Sequence, residues 1–255
     1  MNIARAAGSK TNAPMKPRPL LPLAALGLLL LAGCSTYIAP GAKANLQALA
    51  PTQINDAFAI KPTYPFPASI AVVRLQSPDY SNHNLRRNGG LYGQGRYSVV
   101  LSRELEEDKL LARITALRDV SGVVALNRML LSPHLEGDEE LRVAAARLQA
   151  DLLLLYTFDT TFVNKDSAKP LSVISLGLSP TRKITAISTV SALLLDTRTG
   201  YVYSAYEVTE RTATLSTSWS SADAADQVRR DAERGAFGRL VDEFAASWPK
   251  LLARR

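Results

Sequence analysis

The 255-residue chain is long enough for one sizeable packed domain, and its single cysteine excludes an internal disulfide. A formal net charge of +7 would suit a nucleic-acid binder, but four of the 30 basic residues lie in residues 1–33, which hold no acid. The remainder carries 26 basic and 23 acidic residues. No basic stripe is left to neutralise phosphates, so composition excludes a nucleic-acid partner.

In chain order, the first element reads as an export leader. Lys16 and Arg18 precede an apolar run over residues 20–31, interrupted by Pro22. That run is short of the roughly 20 residues needed to span a bilayer. It ends in Leu31-Ala32-Gly33-Cys34, where small residues before a cysteine make a lipobox. Cleavage of a signal peptide over 1–33 would leave Cys34 as an N-terminus carrying diacylglycerol and palmitate-type acyl chains. Met15 starts a leader of more usual proportions than Met1, which makes it the competing start. A buried helix with a packed cysteine is the alternative reading, since free cysteines are commonly buried.

Residues 34–67 form the lipidated N-terminus and a flexible tether. The stretch ends in Lys61-Pro62-Thr63-Tyr64-Pro65-Phe66-Pro67, whose three prolines favour extended backbone. Ser35 stands where aspartate would retain a lipoprotein in the inner membrane. The expectation is an outer-membrane anchor with the protein on the periplasmic face.

The single domain is expected over residues 68–250. Residues 69–75, β-branched between Pro67 and Pro78, predict a strand, and residues 97–101 predict a second. Leu105, Leu110, Leu111, Ile114 and Leu117 recur at helical spacing. Residues 123–131 suit either a strand or a short helix. Asp138 is placed to cap a helix carrying Leu141, Ala144, Ala145 and Leu148. The apolar run Leu152-Leu153-Leu154-Leu155-Tyr156 fits a central strand covered on both faces. Residues 184–195 and 201–211 flank Asp196-Thr197-Arg198-Thr199-Gly200, the signal of a bulged antiparallel hairpin. Ala225, Val228, Ala232, Ala236, Leu240, Phe244 and Trp248 define a long amphipathic helix expected to stop at Pro249. Gly235 and Gly238 imply close approach or a bend. The fold class is α+β, with a mixed sheet, a central apolar strand, a hairpin and a long C-terminal helix.

This order resembles the CsgG/TolB N-terminal-like group of envelope lipoproteins, which includes curli-secretion, Pel-secretion and LpoB-type proteins. The residues that carry the resemblance are Ile70-Ala71-Val72-Val73, the stretch Ala146-Arg147-Leu148-Gln149-Ala150-Asp151-Leu152-Leu153-Leu154, and the hairpin Leu195 to Tyr203. The chain also resembles an uncharacterised proteobacterial lipoprotein family over residues 181–207. The resemblance implies the same α+β domain and a place in envelope assembly or export.

Candidate chemistry is sparse. His83 and His134 lack a Cys, Asp or Glu at metal-ligand spacing and read as exposed bystanders. The glycine-rich run Asn88-Gly89-Gly90-Leu91-Tyr92-Gly93-Gln94-Gly95 has neither P-loop nor dinucleotide order and reads as a loop. No serine lies in Gly-x-Ser-x-Gly. Glu104, Glu106, Glu107 and Asp108, like Asp138-Glu139-Glu140, read as solvated helix faces. Asp159 and Asp166 have no second carboxylate that sequence can place beside them. No catalytic residue, cofactor or metal is expected.

The segment between the central strand and the hairpin is the expected interaction surface, through Leu171, Val173, Ile174, Leu176, Leu178, Arg182 and Lys183, with an ordinary buried connection as the alternative reading. It is too short and too irregular for a pair of membrane-spanning strands. The expectation is therefore a lipoprotein held to the membrane at Cys34 and acting without catalysis. It would serve as an accessory or scaffold for an envelope protein partner, with self-association as a further mode. An oligomeric secretion-channel component is the first alternative and a periplasmic enzyme the second.

Overall fold

The structure is a computed structural model that describes residues 40, 43–46, 54–101, 104–105, 107–166, 182–216 and 221–253. Contacts divide the chain into Met1–Ser35 and Thr36–Arg255, and the described residues all belong to the second unit. Cys34, Leu31, Ala32, Gly33 and the segment from Leu171 to Leu178 lie outside the described residues.

The described chain is α+β, as its periodicity predicts. It runs through α1 (Ile54–Ala59), β1 (Ala68–Gln76), α2 (His83–Asn88), β2 (Leu91–Tyr92), β3 (Gln94–Gly95) and β4 (Ser98–Val100). Then come α3 (Glu107–Thr115), β5 (Val120–Ala125), a 3-10 turn over Arg128–Leu130, β6 (His134–Leu135) and α4 (Glu139–Arg147). The last elements are β7 (Leu152–Asp166), β8 (Arg182–Asp196), β9 (Val202–Ser216) and α5 (Ser221–Leu252). Residues 123–131 thus hold the end of a strand and a short helical turn in succession.

A mixed seven-stranded sheet is ordered β2-β4-β1-β7-β8-β9, with β5 also on β1. The parallel neighbours β1 and β7 sit at its centre, where apolar residues alternate between two cores. Ile70, Val72, Leu152, Leu154, Tyr156 and Phe158 point toward Phe237, Leu240, Val241, Phe244 and Trp248 of α5. Ala71, Val73, Leu75, Leu153 and Leu155 point the other way, toward Leu141, Ala144 and Ala145 of α4. The prediction of a strand buried on both faces holds from Leu152 to Phe158.

The hairpin closes as its sequence implies. Gly200 takes φ 73°, its N–H donates to Asp196 O at 2.9 Å, and Asp196 N–H donates to Tyr201 O at 2.8 Å. A bulge between Leu194 and Leu195 leaves Val202 opposite Leu195 and Ser204 opposite Leu194. A side chain at position 200 would be held in left-handed backbone. Gly200→Ala should therefore cost about 1–2 kcal/mol of unfolding free energy in urea titration.

Three local expectations need correction. Asp138 precedes α4, but its side chain makes no capping hydrogen bond and instead accepts from Arg142 Nε at 2.6 Å. Glu140 ties the preceding loop to the helix start, its carboxylate accepting from the Gly137 N–H at 3.1 Å and the Glu136 N–H at 3.4 Å. At the other end of the domain, α5 does not stop at Pro249. A proline there deletes only one backbone donor, the last turn closes through Ala253 N–H to Pro249 O at 3.1 Å, and Leu251 is buried. Of the two α5 glycines, Gly235 permits close approach, since a Cβ there would lie 2.8 Å from Glu210 Cγ, whereas one at Gly238 meets nothing nearer than 3.9 Å.

Packing also begins upstream of residue 68. Phe66 meets Trp248 edge to face at 5.4 Å between centroids, and Ala44 is buried, its N–H donating to Thr157 Oγ1 at 3.1 Å. The final residues of the expected tether are a strap on the domain, fastened at Asp196. One Asp196 carboxylate oxygen accepts from Thr63 N at 2.8 Å, Thr63 Oγ1 at 2.6 Å and the Tyr203 hydroxyl at 3.1 Å. The other accepts from Arg198 N at 2.9 Å and Thr199 N at 3.2 Å.

Burial works against the Asp196 charge, but these bonds from Thr63, Thr199 and Arg198 outweigh it and hold the carboxyl below its ordinary range. Burial pushes the Tyr203 hydroxyl up to about 12. Because Asp196 titrates lower in the folded than in the unfolded chain, its stabilisation is complete above the unfolded value near 4. It drains away as pH falls through the folded value. Asp196→Asn should cost about 1–3 kcal/mol at neutral pH, with the gap to the parent closing in acid. Urea titrations across pH check this.

Candidate functional site

The sheet forks at β1. Val72 pairs with Ala125 of β5 and Arg74 with Val100 of β4, while β7 pairs with residues 70–74 on the opposite edge. β5 and β4 therefore meet the same edge of β1 end to end, β5 parallel and β4 antiparallel, and diverge at Val73. A cavity of about 730 Å³ opens in the fork, lined among others by Val72, Arg74, Val100, Glu104, Glu107 and Asn127.

A buried ionic network lies behind it and reaches the cavity through Arg74 and Glu104. Arg229 of α5 is fully buried. Its Nη2 donates to Glu104 Oε2 at 2.9 Å and Asp226 Oδ1 at 3.0 Å, and its Nη1 donates to Glu233 Oε2 at 2.8 Å. Asp226, Arg229 and Glu233 share one helix face at spacings of three and four. Arg74 reaches the same carboxylates from the sheet. Its Nη2 donates to the Tyr80 hydroxyl at 3.0 Å and Glu233 Oε2 at 3.4 Å, its Nη1 lies 3.8 Å from Glu104 Oε1, and the guanidinium sits 4.7 Å from the Phe158 ring centroid. Asn82 Nδ2 donates to Glu104 Oε1 at 3.2 Å, and Thr160 Oγ1 donates to Glu233 Oε1 at 3.1 Å. Arg230 completes the set by pairing with Asp226.

The electrostatics follow from this pairing. Burial opposes the charge of Glu104, but Arg229, then Arg74 and Asn82, outweigh it and hold the carboxyl below its usual range. Burial likewise opposes the charges of Arg74 and Arg229, and the surrounding carboxylates and tyrosine outweigh it, so both guanidiniums are more firmly protonated than free arginine. Glu107 differs. Its carboxylate accepts from Leu105 N at 3.2 Å and has no arginine in contact among the described residues. Burial accordingly pushes it up.

This overturns the reading of Glu104 and Glu107 as solvated. Glu107 is buried, 5% exposed, and Glu104, partly buried as a residue, keeps only 6% of its side chain exposed. The arginine partners of Glu104 come from 30 and 125 residues away, beyond the reach of local pattern. A signal was nevertheless present. Arg74 interrupts the apolar run from Ile70 to Leu75, and Asp226, Arg229 and Glu233 directly follow Ala225, Val228 and Ala232 of the buried stripe.

The other candidates are not brought together. His83 opens α2 half-buried, with Nε2 3.9 Å from Asp223 Oδ1, which corrects its reading as exposed, and His134 is exposed on β6. Asp159 is half-exposed and pairs with Lys43 at 3.5 Å. Gly89 and Gly90 line the cavity, so part of the glycine-rich run belongs to its rim. Arg182 begins β8 opposite Asp166 and Ser216, and the exposed Lys183 follows opposite Lys165 and Leu215. Among the described residues no cluster of three or more His, Cys, Asp or Glu is placed to hold a metal, and no helix is long and apolar enough to cross a membrane.

The cavity can receive a ligand or a partner's side chains against a wall that is apolar along β1 and β4 and charged at Arg74, Glu104 and Glu107. Of the carboxylates that line it, Glu104 is held by arginines and Glu107 accepts from Leu105 N. No family model matches the chain, and a search of curated proteins finds no match. Among solved structures the chain is similar to the crystal structure of protein XCC0632 from Xanthomonas campestris, of family DUF330. The identity is 13% and the TM-score 0.35, over 75% of this chain and 93% of that one.

Proposed function

We propose that the protein is an outer-membrane lipoprotein held at Cys34, whose periplasmic domain acts without catalysis as an accessory or scaffold in envelope assembly or export. One observation carries the binding role. The forked sheet edge opens a cavity of about 730 Å³ lined by Arg74 and Glu104, and Glu104 is locked to Arg74 and to Arg229 behind it, an arrangement suited to reception more than to proton transfer. The lipobox supplies the anchor, and the strap at Thr63 to Phe66 fastens the incoming chain to the domain. The resemblance to curli-secretion and LpoB-type lipoproteins agrees with this reading.

Photocrosslinking in intact cells tests it. A crosslinking amino acid at the exposed rim residue Asn127 should capture an envelope protein. One at the exposed helix residue Glu243 should not. Capture from Asn127 should fall away in a Cys34→Ser background. Equal adducts from both positions, or none from Asn127, would contradict the proposal.

A further inference from the structure

β9 is the edge strand of the sheet and is 15 residues long, with no strand on its outer side among the described residues. An open edge of that length is a template for pairing. Arg239 Nη1 donates to Thr209 O at 2.9 Å, so the Thr209 carbonyl points away from β8. In an antiparallel ladder the backbone groups alternate, so those of Glu207, Thr209 and Arg211 all face the open edge. Their side chains share the sheet face opposite α5, where all three residues are exposed.

The edge is charge-complementary to itself. Two copies related by a twofold axis at Thr209 would set Thr209 against Thr209, and Glu207 of each copy against Arg211 of the other, with Ala205 against Ala213 beyond. Axes at Glu207 or at Arg211 would instead oppose like charges. Arg211 has no ion pair among the described residues, and Glu207 accepts only a 3.2 Å bond from Ser191. We propose that β9 is a homodimerisation edge at which two copies pair antiparallel about Thr209, joining their sheets into one. The inference does not depend on the anchoring or accessory role. Among the described residues its internal competitor is Arg239, which must leave the Thr209 carbonyl as the second copy's N–H takes it.

The experiment uses the full chain with Cys34→Ser, which removes its only native thiol. Adding Thr209→Cys should give a disulfide-linked dimer on mild oxidation, because residues directly opposite in such a pair lie about 5.5 Å apart at Cα. Without that cysteine, Arg211→Glu or Glu207→Arg alone should weaken dimerisation about tenfold in sedimentation equilibrium. The double swap should restore it, which separates pairing from misfolding. Arg239→Ala should tighten the dimer. A chain that stays monomeric and gives no disulfide dimer overturns the proposal, as do single and double charge variants that associate alike.

Discussion

Arg229→Met should be among the most destabilising single substitutions in this domain, costing about 3–5 kcal/mol in urea unfolding. The cost comes less from lost attraction than from what is left behind. Arg229 is fully buried and holds three carboxylates, Glu104, Asp226 and Glu233. Arg230 still serves Asp226, and Arg74 lies 3.4 Å from Glu233 and 3.8 Å from Glu104, but they cannot neutralise all that remains. A loss of that size is a large share of the 5–15 kcal/mol typical of a whole domain. Charge neutralisation discriminates the mechanism. Adding Glu104→Gln to Arg229→Met should recover part of the loss, because one stranded charge is removed. If the double variant were the simple sum of its singles, Glu104 would not be coupled to Arg229.

Trp248→Ala should cost about 3–5 kcal/mol by a different route. Trp248 is 1% exposed, stacks on Phe244 at 5.4 Å and 22°, meets Phe66 edge to face, and donates Nε1–H to Arg118 O at 2.7 Å. Truncation opens a cavity under α5 and removes the surface on which the strap rests. The strap makes this loss distinguishable from ordinary core damage. Limited proteolysis around residues 60–67 should accelerate in Trp248→Ala at denaturant-free conditions where the sheet remains folded. Trp248→Phe keeps most of the ring contact and strands one carbonyl, so it should cost only about 1 kcal/mol and leave the strap protected.

Local pattern made the elements legible and long-range pairing made the site illegible. The β-branched run at 69–75, the apolar run at 152–156 and the turn Asp196 to Gly200 each carry their own structural cause, so strands and hairpin follow from them. The buried network does not, because Glu104 beside Glu106, Glu107 and Asp108 has the composition of a solvated helix start. Only the arrival of Arg74 and Arg229 from β1 and α5 makes its burial tolerable. The strap was obscured for a similar reason. Its prolines indicate extended backbone, while its docking depends on Asp196 and Trp248, more than 130 residues further along. The fork at Val73 required knowing that two strands share one edge of β1, which no residue pattern states.

Intact-mass measurement of the protein extracted from cell envelopes tests the proposed lipid anchor at Cys34 most directly. The expected mass is that of a chain beginning at Cys34 and heavier than residues 34–255 by a diacylglyceryl group and an N-linked acyl chain, all lost in Cys34→Ser. A chain that retains residues 15–33 with an unmodified Cys34 thiol would contradict it.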